Sequence, residues 1–422
     1  MIARLLALLL ALLPVAALAQ APGVTADPIL HRRADALVGI LATGEGYERY
    51  FAESFRAKVP REQLATLAAQ LKANLGAPQK VESFTATTAW SADLVIGFER
   101  GTATVKLVLD PAAPHAATGL LVTGTGTRDD SLAKVTADFR ALPGASGFGL
   151  YELGDAAPTP IAAYRADVAA PIGSAFKLWV LDEAARQVAS GKRRWADVVA
   201  VGPRSLPSGV LQSWPAGAPV TLQTLATMMV SISDNTETDT LMTTLGRVAV
   251  DARAAANGGS TPVLTTREAF VLKSDSALAA AWNAATPPAR RALLDDRAAA
   301  IAARPLDAGV FSGKPVAIDS IEWFASPVAM AALLDRLRRA EDPVRSILAV
   351  NAGVDGATAG RFRYVGYKGG SEPGVIALNF IVQAKDGRWY AATGNWHRPD
   401  DQVSEMRFTG LMTRLLALVA TR

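Results

Sequence analysis

The stretch Ala169-Ala170-Pro171-Ile172-Gly173-Ser174-Ala175-Phe176-Lys177-Leu178-Trp179-Val180-Leu181 constrains this chain most, because so apolar a run must be buried and the fold built around it. Pro171 and Gly173 suit the start of a helix there. Residues three apart share a helix face, so the Lys177 ammonium lies one turn along from the Ser174 hydroxyl. A serine hydroxyl attacks well only when a base takes its proton, and a lysine can be that base if burial lowers its pKa. Ser131-Leu132-Ala133-Lys134 repeats the spacing. It follows Asp129-Asp130 in a polar amphipathic segment, however, and reads as a solvated helix face.

Composition removes several function classes. The 422 residues suffice for two domains. A net charge of +4 and a pI near 9.3 are mildly basic, and the Lys and Arg residues are spread out, so no nucleic-acid partner is expected. With Cys 0 there is neither a disulfide framework nor a cysteine metal site. His31, His115 and His397 are too scattered for a zinc site or a Ser-His-Asp triad, and His397 reads as the close of a strand. No metal and no cofactor is implied.

Residues 1–19 have the layout of a cleaved export signal: Arg4, a Leu/Ala-rich run and the small-x-small ending Ala17-Leu18-Ala19. Periplasmic or secreted localisation follows as the expectation, with no stable membrane insertion after cleavage. Asp27 to Leu75 reads as two or three amphipathic helices. Short β-branched segments then follow at Lys80–Thr88, Ala92–Glu99, Thr102–Leu109 and Gly119–Gly124. Helices before a meander make residues 25–127 a small α+β domain whose layout resembles the NTF2-like or steroid-isomerase-like cone. A linker is expected at Gly124–Arg128 and a second domain over 128–422. In that domain Thr221 caps a helix through Leu222, Leu225, Met229 and Ile232, delivering Ser233-Asp234-Asn235 on a turn before a helix that Gly246 closes. The Ala- and Arg-rich segment from Asp251 to Ser320 reads as an insertion. Phe362–Gly366 reads as a strand ending at Lys368-Gly369-Gly370-Ser371, where glycines let a ligand approach the backbone.

Ser174-x-x-Lys177, Ser233-Asp234-Asn235 and Lys368-Gly369-Gly370, in this order, resemble the three motifs of class A β-lactamases and penicillin-binding proteins. The likeness runs from about Ala141 to the C-terminus. It implies an α+β chain whose larger domain has an antiparallel sheet, helices on both faces, and a cleft beside the edge strand that carries Lys368. It also implies roles. Ser174 attacks an amide or ester carbonyl and Lys177 accepts or relays its proton. Ser233 passes a proton to the leaving nitrogen. Lys368 holds a substrate carboxylate and polarises Ser233, Asn235 hydrogen-bonds a substrate amide, and the N–H groups of Ser174 and Ser371 form an oxyanion hole.

Two departures stand out. Gly369 sits where the family usually carries Thr or Ser, so a hydroxyl contact to substrate is missing beside Gly370 and Ser371. Class A enzymes also use a glutamate after the second motif to activate the deacylating water. Of Glu237, Glu268, Glu322 and Glu341, Glu268 in Thr265-Thr266-Arg267-Glu268 is the best placed, although its flanks differ; Asp239 stands where asparagine is common. The expectation is an exported serine hydrolase acting on β-lactams or related amides and esters, with deacylation the slow step. The alternatives are a D-alanyl-D-alanine carboxypeptidase acting on peptidoglycan-like substrates, an esterase, or a penicillin-binding sensor that acylates without efficient turnover.

Overall fold

The computed structural model describes residues 25–205 and 207–420, and the signal reading of residues 1–19 lies outside them. These residues fall into two compact units. The first runs up to Ala65 and includes Pro78–Gly97 and Thr104–Val122, and the second holds Thr66–Ala77, Phe98–Ala103 and the chain from Thr123 onward. Among the described residues no helix is long and apolar enough to cross a membrane.

The first unit opens with α1 (Pro28–Thr43). Asp27 caps it by accepting from the Ile29 N–H at 2.8 Å, proline fits its first turn, and Gly44 ends it at φ 73°. Leu30, Ala34, Leu37 and Leu41 form its buried stripe. After α2 (Arg61–Leu75) come β1 (Pro78–Thr88), β2 (Ser91–Phe98), β3 (Gly101–Leu109) and β4 (Ala117–Thr127), neighbours in sequence order within one sheet. α1 lies against β1, where His31 stacks on Phe84 at 3.7 Å. The expected linker at 124–128 is instead mostly strand: Thr123, Thr125 and Thr127 alternate with Gly124 and Gly126 through the end of β4. β-Branched threonines suit the pleat, so glycine content alone was misleading there.

After β4 the second unit continues with α3 (Leu132–Arg140), which explains the repeated Ser-x-x-Lys spacing. Ser131 caps α3 by accepting from the Lys134 N–H at 3.2 Å, while the Lys134 ammonium donates to the Asp129 carbonyl at 2.6 Å. There follow β5 (Ala145–Leu153), β6 (Thr159–Tyr164), α4 (Lys177–Ala189), α5 (Leu222–Ser231), α6 (Asn235–Leu245), α7 (Arg247–Ala256), α8 (Thr266–Ser274), α9 (Ser276–Ala284), α10 (Pro287–Asp296) and α11 (Pro327–Arg339). The chain ends in β7 (Phe362–Glu372), β8 (Val375–Ala384), β9 (Trp389–His397) and α12 (Glu405–Ala420).

β5 to β9 form one antiparallel sheet in the order β7-β8-β9-β5-β6, which leaves β7 on an edge. β8 is apolar almost throughout because both its faces are covered. Ile376, Leu378, Phe380 and Val382 pack with Phe139 of α3 and Phe408 and Met412 of α12. Ala377 and Ile381 join the core on the other face, with Leu333 and Leu334 of α11 and Leu178 and Leu181 of α4. α4 is buried on every side through its first two turns, as a central helix must be.

Three expectations change here. Ile232 is exposed rather than part of the α5 stripe, because the helix stops at Ser231, and Ala226 and Val230 are buried with Leu222, Leu225 and Met229 instead. The region read as an insertion supplies Ala254, Val263, Leu264, Phe270, Trp282 and Leu294 to the same core as α4. It is an integral layer. The third motif lies inside β7, not past the end of a strand.

Candidate active site

Ser174 sits in a single 3-10 turn, Gly173–Phe176, that leads directly into α4. A short antiparallel ladder between Ala170-Pro171 and Phe324-Ala325 fixes the approach, and Phe176 stacks on Trp323 at 4.1 Å. The serine is half-buried, and among the described residues its hydroxyl has no hydrogen-bond partner. β7 runs against this turn backbone to backbone. A β-carbon on Gly370 would overlap the Ile172 carbonyl and the Ser174 N–H, and one on Gly173 would stand 3.2 Å from the Ser371 nitrogen. The closeness expected of a ligand at these glycines is therefore used first by the protein's own Ser174 turn.

Lys177 is fully buried at the start of α4. Its ammonium donates to the Ser233 carbonyl at 2.6 Å, to Ser233 Oγ at 3.1 Å and to Asn235 Oδ1 at 2.7 Å. Burial pushes its pKa down to about 7, while Asp239, Asp234 and Glu237 work the other way. Lys368, on β7, donates to Ser233 Oγ at 2.9 Å and to the Gly369 carbonyl at 2.7 Å. Burial, and then the charge on Lys177, holds it well below the usual lysine range. The Ser233 hydroxyl thus lies between two amines, each of which the interior urges to lose its proton.

That hydroxyl is placed by an unusual backbone. Ser233 has φ 59°, in the left-handed region that a serine adopts only under constraint. The constraint is visible. Ser208 donates to the Ser233 carbonyl at 2.7 Å, and Asp234 caps α6 while accepting from the Val210 and Leu211 N–H groups at 2.5 and 2.9 Å. Asp234 is therefore the anchor of the turn, and its neighbours Ser233 and Asn235 are the members that reach Lys177.

The expected site residues separate into two groups. Lys177, Ser233, Asn235 and Lys368 meet in one hydrogen-bonded cluster, with Ser174, Gly369, Gly370 and Ser371 on the backbone around it. Glu268 does not join them. It forms a capping box with Thr265 at the start of α8, and both carboxylate oxygens are bound by Arg247 at 2.9 and 2.8 Å. In this arrangement the carboxylate caps α8 and pairs with Arg247 rather than reaching the Lys177–Ser233 cluster. Asp239, half-buried, likewise binds the N–H groups of Thr266 and Arg267 and the Ser205 hydroxyl, joining α6 to α8.

Sequence reasoning passed over Glu237. Its side chain is wholly buried, and neither oxygen has a hydrogen-bond partner among the described residues. Burial first, then the nearby Asp234 charge, pushes its pKa up to about 9, with Lys177 opposing. Its position in the first turn after Asn235, on the side that packs inward, was the only available signal. His397 ends β9 half-buried and lies outside the cluster.

The model of the Beta-lactamase enzyme family matches residues 130–355. No curated protein matches. Among solved structures, the chain is similar to a β-lactamase from Sphaerobacter thermophilus DSM 20745, with 22% identity, 69% of this chain and 95% of that one covered, and a TM-score of 0.47. It is also similar to PBP-A, at 15% identity over 69% and 94% with TM-score 0.47. A third is an ancestral class A β-lactamase, at 19% over 68% and 100% with TM-score 0.47. The family match begins at residue 130, which leaves the NTF2-like likeness of residues 25–127 resting on strand order alone. Because that match spans more than half of the residues, this chain belongs to the beta-lactamase enzyme family.

Proposed function

We propose that the protein is an exported serine hydrolase that opens β-lactams, or related amides and esters, through an acyl-enzyme on Ser174. One observation carries this reading: Ser233 Oγ lies 3.1 Å from the Lys177 amine and 2.9 Å from that of Lys368, while burial brings Lys177 to about 7. Near neutral pH a large fraction of Lys177 is then a free base. As Ser174 Oγ bonds to the carbonyl carbon, its proton passes to Lys177 and the C=O electron pair moves onto oxygen, facing the N–H groups of Ser174 and Ser371. When the C–N bond breaks, Ser233 gives its proton to the departing nitrogen and regains one from Lys177. Lys368 keeps Ser233 oriented and offers a cation to a substrate carboxylate. Water finally hydrolyses the Ser174 ester.

The second reading is a penicillin-binding module that stays acylated. The commitment of both Glu268 oxygens to Arg247 favours it, since the expected water activator is occupied. Intact-mass spectrometry with a penicillin, a cephalosporin and a simple ester tests both. Transient or lasting adducts on wild type and on Ser131→Ala, and none on Ser174→Ala, are expected; equal labelling of Ser174→Ala overturns the assignment. A lasting adduct selects the second reading, and rapid turnover of the ester alone selects an esterase. For export, a mature N-terminus at Gln20 is expected, and a membrane-held protein beginning at Met1 overturns it.

A further inference from the structure

Three ionisable side chains that the acyl-transfer steps leave unused meet in the interior. Lys273 of α8 donates to Glu322 at 3.4 Å and also to Glu372 at the end of β7, and these side chains are 1%, 0% and 11% exposed. The other oxygen of Glu322 accepts from the backbone N–H of Gly173 at 3.2 Å and of Trp323 at 3.0 Å. Gly173 immediately precedes Ser174, and Glu372 immediately follows Ser371. The cluster therefore grips both backbones whose amides flank the nucleophile.

The two carboxyl groups hold the buried lysine in its charged form. Burial works against the charge on Lys273, yet Glu322 and Glu372 outweigh it and raise the pKa. Burial, and then Glu322, holds the Glu372 carboxyl well above its usual range, with Lys273 opposing. Well-packed apolar side chains would join two elements at least as firmly, so stability alone does not call for ions here. What ions add is direction: charge-assisted bonds fix where each backbone stands.

We propose that Lys273, Glu322 and Glu372 are positioning residues for acylation, holding Gly173-Ser174 and Ser371-Glu372 at the spacing where the amides of Ser174 and Ser371 face one carbonyl oxygen. The catalytic half of this inference rests on the acyl-transfer reading; the structural half rests on the cluster alone. The test uses the full mature chain with Lys273→Met, Lys273→Arg and Glu322→Gln, the last keeping an oxygen acceptor for the two N–H groups. Hydrogen exchange is read peptide by peptide, and the acylation rate constant is read with a chromogenic cephalosporin. In Lys273→Met, exchange is expected to quicken in peptides covering 170–178 and 368–376 but not in those of β5 and β9. Acylation is expected to slow by about 10- to 100-fold with little change in the prior binding constant, the scale of a small misplacement. Lys273→Arg restores part of both. Unchanged exchange in the two segments overturns the proposal whether or not Ser174 reacts with any β-lactam. Uniform loosening in Lys273→Met overturns it too if Glu322→Gln leaves both segments as in wild type, and so does wild-type acylation by a loosened variant. Failure of wild type to acylate counts against the functional reading only, and exchange then decides the joint.

Discussion

At position 369 a β-carbon would run into the phenol hydroxyl of Tyr367, two residues earlier on the same face of β7. The Tyr367 ring is held by Phe380 at 4.8 Å and by Gly353, where a β-carbon would also strike it. The departure from the family's third motif is thus an exchange: the hydroxyl missing from residue 369 has a phenol in its place, and burial, with Glu405, pushes that phenol's pKa up to about 12. Gly369→Thr alone should overpack the site and cost about 1–3 kcal/mol, whereas the same substitution made in a Tyr367→Ala background should cost much less relative to Tyr367→Ala. Thermal denaturation decides, and a single variant as stable as wild type would refute the exchange. Glu237 makes a prediction of opposite character. Its folded pKa lies near 9 and its unfolded value near 4.5, so the native state binds more protons between those values and its contribution to stability falls as pH rises through that window. Lys177, depressed to about 7 from 10.5, has the reverse slope between 7 and 10.5, because there the unfolded state binds more protons. Glu237→Gln should remove the first slope only. Urea melts at pH 5, 7 and 9 should then show the variant gaining on wild type as pH rises, and parallel curves would sink the assignment.

At the scale of elements, the sequence conveyed what local chemistry determines. Ser174, Lys177, Ser233 and Asn235 were legible because their residue types and short spacings carry the chemistry, and the α5 cap because Thr221 binds an N–H group only three residues ahead. What was hidden depended on partners far along the chain. Glu268 was read as the best-placed acid after the second motif, whereas its carboxylate binds the Thr265 N–H at its own helix start and pairs with Arg247, 21 residues earlier. Nothing in local spacing links Lys273, Glu322 and Glu372, which meet only when α8, β7 and the turn before Ser174 are brought together. Glu268→Gln should therefore leave both the acylation burst and the following steady state within a small factor of wild type. Its cost should appear as about 2 kcal/mol of stability from the weakened charged bonds. A slowing of the steady state by about 10²-fold or more, with the burst kept, would restore Glu268 as a general base.

On the scale of the whole molecule, the cluster around Ser233 is assembled from segments that meet only in the finished fold. The Lys177–Ser233 bond spans 56 residues and the Lys368–Ser233 bond 135, and β7, which carries Lys368, reaches its sheet only by pairing with β8. Contacts of such separation form late and cooperatively. A reagent that acylates Ser174 would consequently act as a census of native molecules, since an unfolded or half-folded chain has the serine without its base. In a denaturant titration the fraction of chains that can be labelled should fall together with the near-ultraviolet signal of the buried aromatic residues, and ahead of any loss of far-ultraviolet helix signal retained by a compact intermediate.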